Sequence, residues 1–308
     1  MRVAVIDCGT NTFNLLIVET NANERKKLFN SRTPVKLGEG SINKGFIGAG
    51  PFTRAIEAID AFSSAIKEYQ VEKTLAFATS AVRDAANGRE LVDTIFSRTG
   101  IAVQVIDGAK EAMLIYLGVR DAVNMSDSPS LIMDIGGGST EFIIASKQQI
   151  FWKQSFNIGA ARLLEMFKPS NPITSTEITL IIQFLTHQLA ALFPAVARYN
   201  PTELLGSSGA FDSVIEMIHG ELGGEPLQSE KTEYHVKPEN YTFISQKVIA
   251  STLEERRKIK GLVPMRFDMI VISCLMMNFV LDKFSLNRIR VSTYSLKEGA
   301  LAEFLMSH

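Results

Sequence analysis

The sequence predicts a mixed α/β protein in two domains, and three observations carry that prediction. The chain has 308 residues, more than a single hydrophobic core usually serves. Its apolar runs alternate between short strand-like segments and longer segments with helical spacing. One strand–turn–strand device also occurs twice, as VAVIDCGTNTFNLLIV at residues 3–18 and as LIMDIGGGSTEFIIA at 131–145. Each copy places Asp-x-Gly at the end of one strand and hydroxyl residues before the next.

In the first half, residues 2–7 and 13–19 are expected as strands around the polar turn CGTNT. Residues 51–69 set Phe52, Ile56, Ile59, Phe62 and Ile66 on one helical face, and 74–78 then read as a short buried strand. Helices are expected at 87–98 and 108–123, with a strand between them at 101–106. The polar, Pro-containing NMSDSPS that follows residue 123 marks the crossing into the second domain. There the pattern restarts with strands at 130–134, 140–146 and 149–156, followed by helices at 159–167, 175–197, 207–219, 238–258 and 264–282. Short strands at 203–206 and 288–292 and a last helix at 296–307 complete the reading.

Composition narrows the class. Hydrophobic residues make up 46% and charged residues 21% of the chain, the balance of an ordinary globular protein. With 32 Lys and Arg against 33 Asp and Glu, no global field draws the chain to nucleic acid or to an anionic membrane. Two cysteines, Cys8 and Cys274, are too few for a disulfide framework and suit a reducing cytoplasm. The N-terminal apolar run is broken by Asp7 and does not read as a secretory signal. The longest apolar run, MIVISCLMMNFVL at 269–281, is too short to span a bilayer and reads as a buried helix. The four histidines, at 187, 219, 235 and 308, have neither metal-ligand nor triad spacing.

The repeated turns carry the chemistry. Gly136, Gly137 and Gly138 exceed what a tight hairpin needs. Such a run is expected to take positive φ and aim successive N–H groups at one point, as an anion-binding nest. Ser139 and Thr140 add hydroxyl donors, and Gly9, Thr10, Asn11 and Thr12 offer the same mixture in the first turn. Two such turns facing each other would clasp a phosphate. Asp7, Asp134 and Glu141 are carboxylates beside an anion site, which calls for a cation between, and Mg²⁺ is held by one or two carboxylates with waters and phosphate oxygens.

Five stretches together resemble the exopolyphosphatase and guanosine pentaphosphate phosphohydrolase family of the actin, hexokinase and Hsp70 superfold. They are IDCGTNTFNLLIVE (6–19), ATSAVRDAANG (78–88), VIDGAKEAMLIYLGV (105–119), MDIGGGSTEF (133–142) and VSTYSLKEGALAEFL (291–305), with FNIGAARLLEMF (156–167) and GSSG (206–209) in support. The resemblance implies two actin-like, ribonuclease H-like domains with an active-site cleft between them. The first would run over 1–123 and the second over 124–295, with the terminal helix 296–308 packing back on the first. It implies Glu111 as the base for the attacking water and Arg83 as a guanidinium directed at the phosphate chain, with Arg162 a weaker phosphate ligand and Arg266 and Lys297 weaker still. Mg²⁺, with K⁺ as a possible companion, is the implied cofactor, and a homodimer is a further expectation. Longer members carry an additional C-terminal helical region.

The sequence departs from the family where Asn14 replaces His or Arg and where Lys110 and Met113 flank Glu111. The lost charges bear on the grip of a long polyanion, and a Lys beside the base is expected to lower its pKa. The implied reaction is release of orthophosphate from the end of inorganic polyphosphate. The alternatives are hydrolysis of guanosine pentaphosphate, an ATP-dependent sugar kinase with adenosine at the GSSG turn, and a polyphosphate-binding protein with decayed catalysis.

Overall fold

The computed structural model describes residues 1–21 and 25–307. Eleven strands are described: β1 (Arg2–Cys8), β2 (Thr12–Thr20), β3 (Arg25–Pro34), β4 (Lys73–Ala78), β5 (Val103–Val105), β6 (Ser130–Ile135), β7 (Thr140–Ala145), β8 (Ile150–Phe156), β9 (Leu204–Ser207), β10 (Glu233–Val236) and β11 (Ile289–Ser292). They form one sheet in the order β3-β2-β1-β4-β5 and a second in the order β10-β11-β9-β6-β7-β8. In each, an antiparallel three-stranded meander is followed by two parallel strands, β4 and β5 in the first and β9 and β11 in the second. The second sheet therefore repeats the first and adds β10 as an edge. This is the doubled actin-like arrangement that the resemblance implies.

The helices are α1 (Ala49–Glu68), α2 (Ser80–Arg83), α3 (Gly88–Thr99), α4 (Gly108–Ala122), α5 (Ala160–Phe167), α6 (Ser175–Gln188), α7 (Leu192–Tyr199), α8 (Ser208–Leu222), α9 (Pro238–Ala250), α10 (Leu253–Arg256), α11 (Ile270–Phe284) and α12 (Leu296–Met306). Each sheet has a core on its outer side, built with α1 and α3 in the first half and with α8, α9 and α11 in the second. The apolar run at 269–281 lies within α11 apart from Met269, and most of it is buried, as expected. Among the described residues no single helix is long and apolar enough to cross a membrane, although α6 and α7, bent by 71°, pass that test as a pair by length and composition.

A third core lies between the sheets and positions the site. It joins Val5 and Leu16 of the first sheet to Ile132 and Ile143 of the second through Leu114 on α4 and Leu301 on α12. The two central helices touch backbone to backbone. A Cβ on Gly299 would fall 1.7 Å from the Leu114 carbonyl oxygen, and one on Gly118 would fall 2.1 Å from that of Ser295. Lys110 Nζ, 2.5 Å from Glu303 Oε1, adds an ion pair between the same helices. The two helices are thereby clamped antiparallel, the start of α12 against the middle and end of α4, with Glu111 and Ser295 both in the cleft lining.

Several elements differ from expectation. The strands β3 and β10 were not foreseen. The helix expected over 175–197 is two helices, because Pro194 has no N–H to donate and is tolerated only in a first turn. The helix expected over 238–258 stops at Ala250 and restarts at Leu253, where Thr252 and Glu255 cap each other's backbone N–H groups. The segment beginning at 264 opens as a 3₁₀ turn, with α11 starting at Ile270. Residue 308, the end of the expected last helix, lies outside the described residues.

Candidate active site

Residues 9–12, in the turn between β1 and β2, and residues 136–139, between β6 and β7, line one cleft. A Cβ on Gly137 would stand 3.0 Å from Thr10 Cβ, and one on Gly138 would stand 2.6 Å from both Thr10 Oγ1 and Ser80 Oγ. The two turns thus meet, although Gly9 and Gly136 lie 127 positions apart in the sequence. Both close in the same way, with Gly9 N–H donating to Thr12 O at 3.2 Å and Gly136 N–H donating to Ser139 O at 3.0 Å. One expectation is corrected: none of Gly9, Gly136, Gly137 or Gly138 adopts positive φ. The second turn needs glycine because another chain segment lies against it, not because its backbone is left-handed.

Four carboxylates gather beneath the turns. Glu111 sits in the first turn of α4, whose N-cap Asp107 accepts from Lys110 N–H at 2.7 Å. Its side chain is buried and accepts from Arg83 Nη1 at 3.0 Å. Burial pushes its carboxyl up to about 7 against the pull of Arg83, with the charges of Asp7 and Asp134 adding to the rise. The expected lowering by Lys110 does not occur, because that ammonium is turned away to Glu303. Burial likewise raises Asp7 to about 6, opposed by Lys297 and by the hydrogen bond from Asn14 Nδ2 at 3.0 Å. Glu141 is raised well above the usual carboxylate range by burial and by Glu111 and Asp134, and accepts from Ser155 Oγ at 2.6 Å.

Asp134 is held differently. Its Oδ2 accepts from Ser207 Oγ at 2.5 Å and from Ser208 and Ser295 Oγ at 2.7 Å each. The GSSG turn therefore spends its hydroxyls on this carboxylate. At Gly209 the space is filled by the Arg266 guanidinium, 1.8 Å from where a Cβ would be. Among the described residues no group of three or more His, Cys, Asp or Glu is placed to hold a metal ion. Asp7, Asp134 and Glu141 nevertheless all line the cleft, Asp7 held by Asn14, Asp134 by three serine hydroxyls and Glu141 by Ser155.

Three other expected residues do not line the cleft. Thr140 is fully buried and its hydroxyl donates to Ile158 O at 3.4 Å. Arg162 is also buried, donating to Gly138 O and Asp84 Oδ2, both at 2.8 Å. It braces the second turn against α2 from behind. Arg83, expected to point at the phosphate chain, instead holds Glu111 and donates to Ile106 O at 3.1 Å. Lys297 and Arg266, the weaker candidates, do line the cleft. Sequence reasoning missed Thr79, Arg32, Asp212 and Ser295, of which Ser295 alone carried a readable signal, the S-x-x-E capping box with Glu298.

The comparisons with known proteins bear on this arrangement. The model of the Ppx/GppA phosphatase family matches residues 16–308. The chain belongs to that family. A crystal structure of an exopolyphosphatase from Cytophaga hutchinsonii is 40% identical, covers 100% of this chain and 98% of its own, and superposes with a TM-score of 0.97. Exopolyphosphatase 1 of Mycobacterium tuberculosis is 26% identical over 100% of this chain and 89% of its own length. A bifunctional 3-dehydroquinate synthase/phosphatase of Fusobacterium nucleatum is 29% identical over 97% of this chain, which spans 46% of that protein's length. The Ppx/GppA match starts within β2, past the first turn, whose place opposite the second comes from the structure.

Proposed function

We propose that this protein is an exopolyphosphatase, hydrolysing the terminal phosphoanhydride of inorganic polyphosphate to orthophosphate. The observation that carries the reading is that two hairpins from separate halves meet at one point in a cleft that Glu111 also lines. The backbone N–H groups and the Thr10, Thr12 and Ser139 hydroxyls hold the terminal phosphoryl. Such fixed donors suit a loose transition state whose charge sits on the equatorial oxygens.

The water oxygen bonds to the terminal phosphorus as the bridging P–O bond breaks. The chain, one unit shorter, leaves as a phosphate oxyanion. Glu111, with its carboxyl near 7, takes the water's proton, a pKa that suits a base working near neutrality. Arg83 acts as a positioning residue that fixes the Glu111 carboxylate. Asp7 and Asp134 offer only hard oxygen donors, which fits Mg²⁺ completed by waters and phosphate oxygens. When bound there, Mg²⁺ supplies charge neutralisation to the phosphate oxygens.

Guanosine pentaphosphate presents the same terminal anhydride and stays the alternative. A sugar kinase fits less well, since its nucleoside would have to displace Arg266 from Gly209 and the serine hydroxyls from Asp134. We further assign residues 1–123 and 124–295 as two domains with the last helix returning to the first, a cytoplasmic location, no nucleic-acid or membrane partner, and a homodimer. Orthophosphate release from long polyphosphate, guanosine pentaphosphate, and ATP with added sugars tests the reading. Release from polyphosphate supports it, and sugar-dependent ATP turnover without it would replace it.

A further inference from the structure

One corner of the cleft carries charge that the reaction above does not use. Arg32 on β3 lies directly across from Asn14 in the β2–β3 register, so both side chains leave the sheet on one face. Its Nη2 donates to Asp212 Oδ2 on α8 at 3.2 Å, which ties the first half of the chain to the second. Both residues line the cleft, with side chains 42% and 17% exposed.

The charges around Asp212 are unbalanced. Arg32, Lys297 and Arg266 all act on its carboxyl. Lys297 has its own partner in Glu298 at 2.9 Å. Among the described residues the Arg266 guanidinium donates no hydrogen bond, and its pKa is pushed down to about 10 by burial and then by the charge of Arg32. Asp212 thus faces the charges of two guanidiniums and pairs directly with one, Arg32. Carboxylates dominate around the hairpins, so the cleft is polarised from an acidic region to this basic one.

We infer that Arg32 is a chain-binding residue for polyphosphate and that Asp212 is its internal competitor, exchanged for phosphate when substrate enters. This rests on the polyphosphate reading. A guanidinium binds phosphate through paired N–H donors. The carboxylate it releases still feels the positive charges of Lys297 and Arg266, so the exchange strands no uncompensated charge. Arg32 also supplies, from the neighbouring strand, the positive charge that Asn14 lacks.

The test is equilibrium binding of fluorescently labelled long-chain polyphosphate to the whole protein and to Arg32→Gln, Asp212→Asn and the double variant, with thermal melts alongside. The exchange predicts opposite signs: Arg32→Gln weakens binding about tenfold, Asp212→Asn tightens it, and the double variant behaves like Arg32→Gln. If the pair is only a structural bridge, each substitution breaks the same bond and both weaken binding, which overturns the inference. Unchanged binding in both overturns it as well. Should Arg32→Gln fail to fold, Arg32→Lys keeps the charge without the fork and is expected to bind at an intermediate level; wild-type affinity there would equally overturn it. Wild-type protein that releases orthophosphate while both variants weaken sinks the exchange alone. Wild-type protein that neither binds nor cleaves polyphosphate sinks the function reading with it.

Discussion

Replacing Glu111 with Gln should cripple turnover and stabilise the fold at the same time. The carboxyl moves from an ordinary 4.5 to about 7 in the folded protein, mainly because it is buried. A group raised in this way contributes stability that is complete below about pH 4.5 and is lost as the pH climbs through about 7. The interval corresponds to up to about 3 kcal/mol. Gln is nearly isosteric, still accepts from Arg83 through its amide oxygen, and carries no charge to bury. Glu111→Gln should therefore melt with wild type at pH 5 and higher than it at pH 8, by on the order of 5 °C. Loss of a positioned base is worth about 10² to 10⁴-fold, so orthophosphate release should fall by that factor, and the wild-type rate should decline on the acid side of about pH 7. Calorimetry across that pH range, paired with a phosphate-release assay, checks both halves. A variant that is destabilised at pH 8, or that retains activity within tenfold of wild type, would refute the reasoning.

Three further outcomes follow from the same geometry. Gly138→Val drives a side chain into Thr10 and Ser80 and should part the hairpins, costing about 1–3 kcal/mol and most of the activity; full activity would show that the hairpin contact is dispensable. Arg162→Met removes the brace on Gly138 O and leaves Asp84 without that partner, so the melting curve should report a loss of about 2 kcal/mol, with turnover falling too. Asp7→Asn should shift the Mg²⁺ concentration needed for half-maximal activity upward, and an unchanged Mg²⁺ titration would remove Asp7 from the metal's ligands.

The fold was legible where burial imposes a period. The strands β1, β2, β6 and β7 are apolar nearly throughout, and the two Asp-x-Gly turns fixed their pairing from local sequence. By contrast β3, RKKLFNSRTP, is an edge strand with mostly exposed or half-buried residues, and its polar pattern resembles a loop. Missing β3 meant missing Arg32, which reaches the cleft only because of its register against Asn14. The breaks after α6 and α9 did leave marks, in Pro194 and in the Thr252–Glu255 cap, but the apolar spacing that runs across each break outweighed them. At the site, residue type predicted presence better than direction. The family resemblance directed Arg83 and Arg162 at the phosphate chain, yet each is committed to a protein acceptor. Nothing local in a sequence reports which carboxylate or carbonyl a long side chain will find.

The central claim is that the two hairpins hold one phosphoryl group between them. A crystal structure with a non-hydrolysable polyphosphate analogue and Mg²⁺ tests this most directly. The account predicts a terminal phosphoryl within hydrogen-bonding distance of backbone N–H groups from both residues 10–12 and residues 137–139, with Glu111 facing the side opposite the bridging oxygen. A terminal phosphoryl bound to one hairpin alone, or outside the cleft, would contradict it.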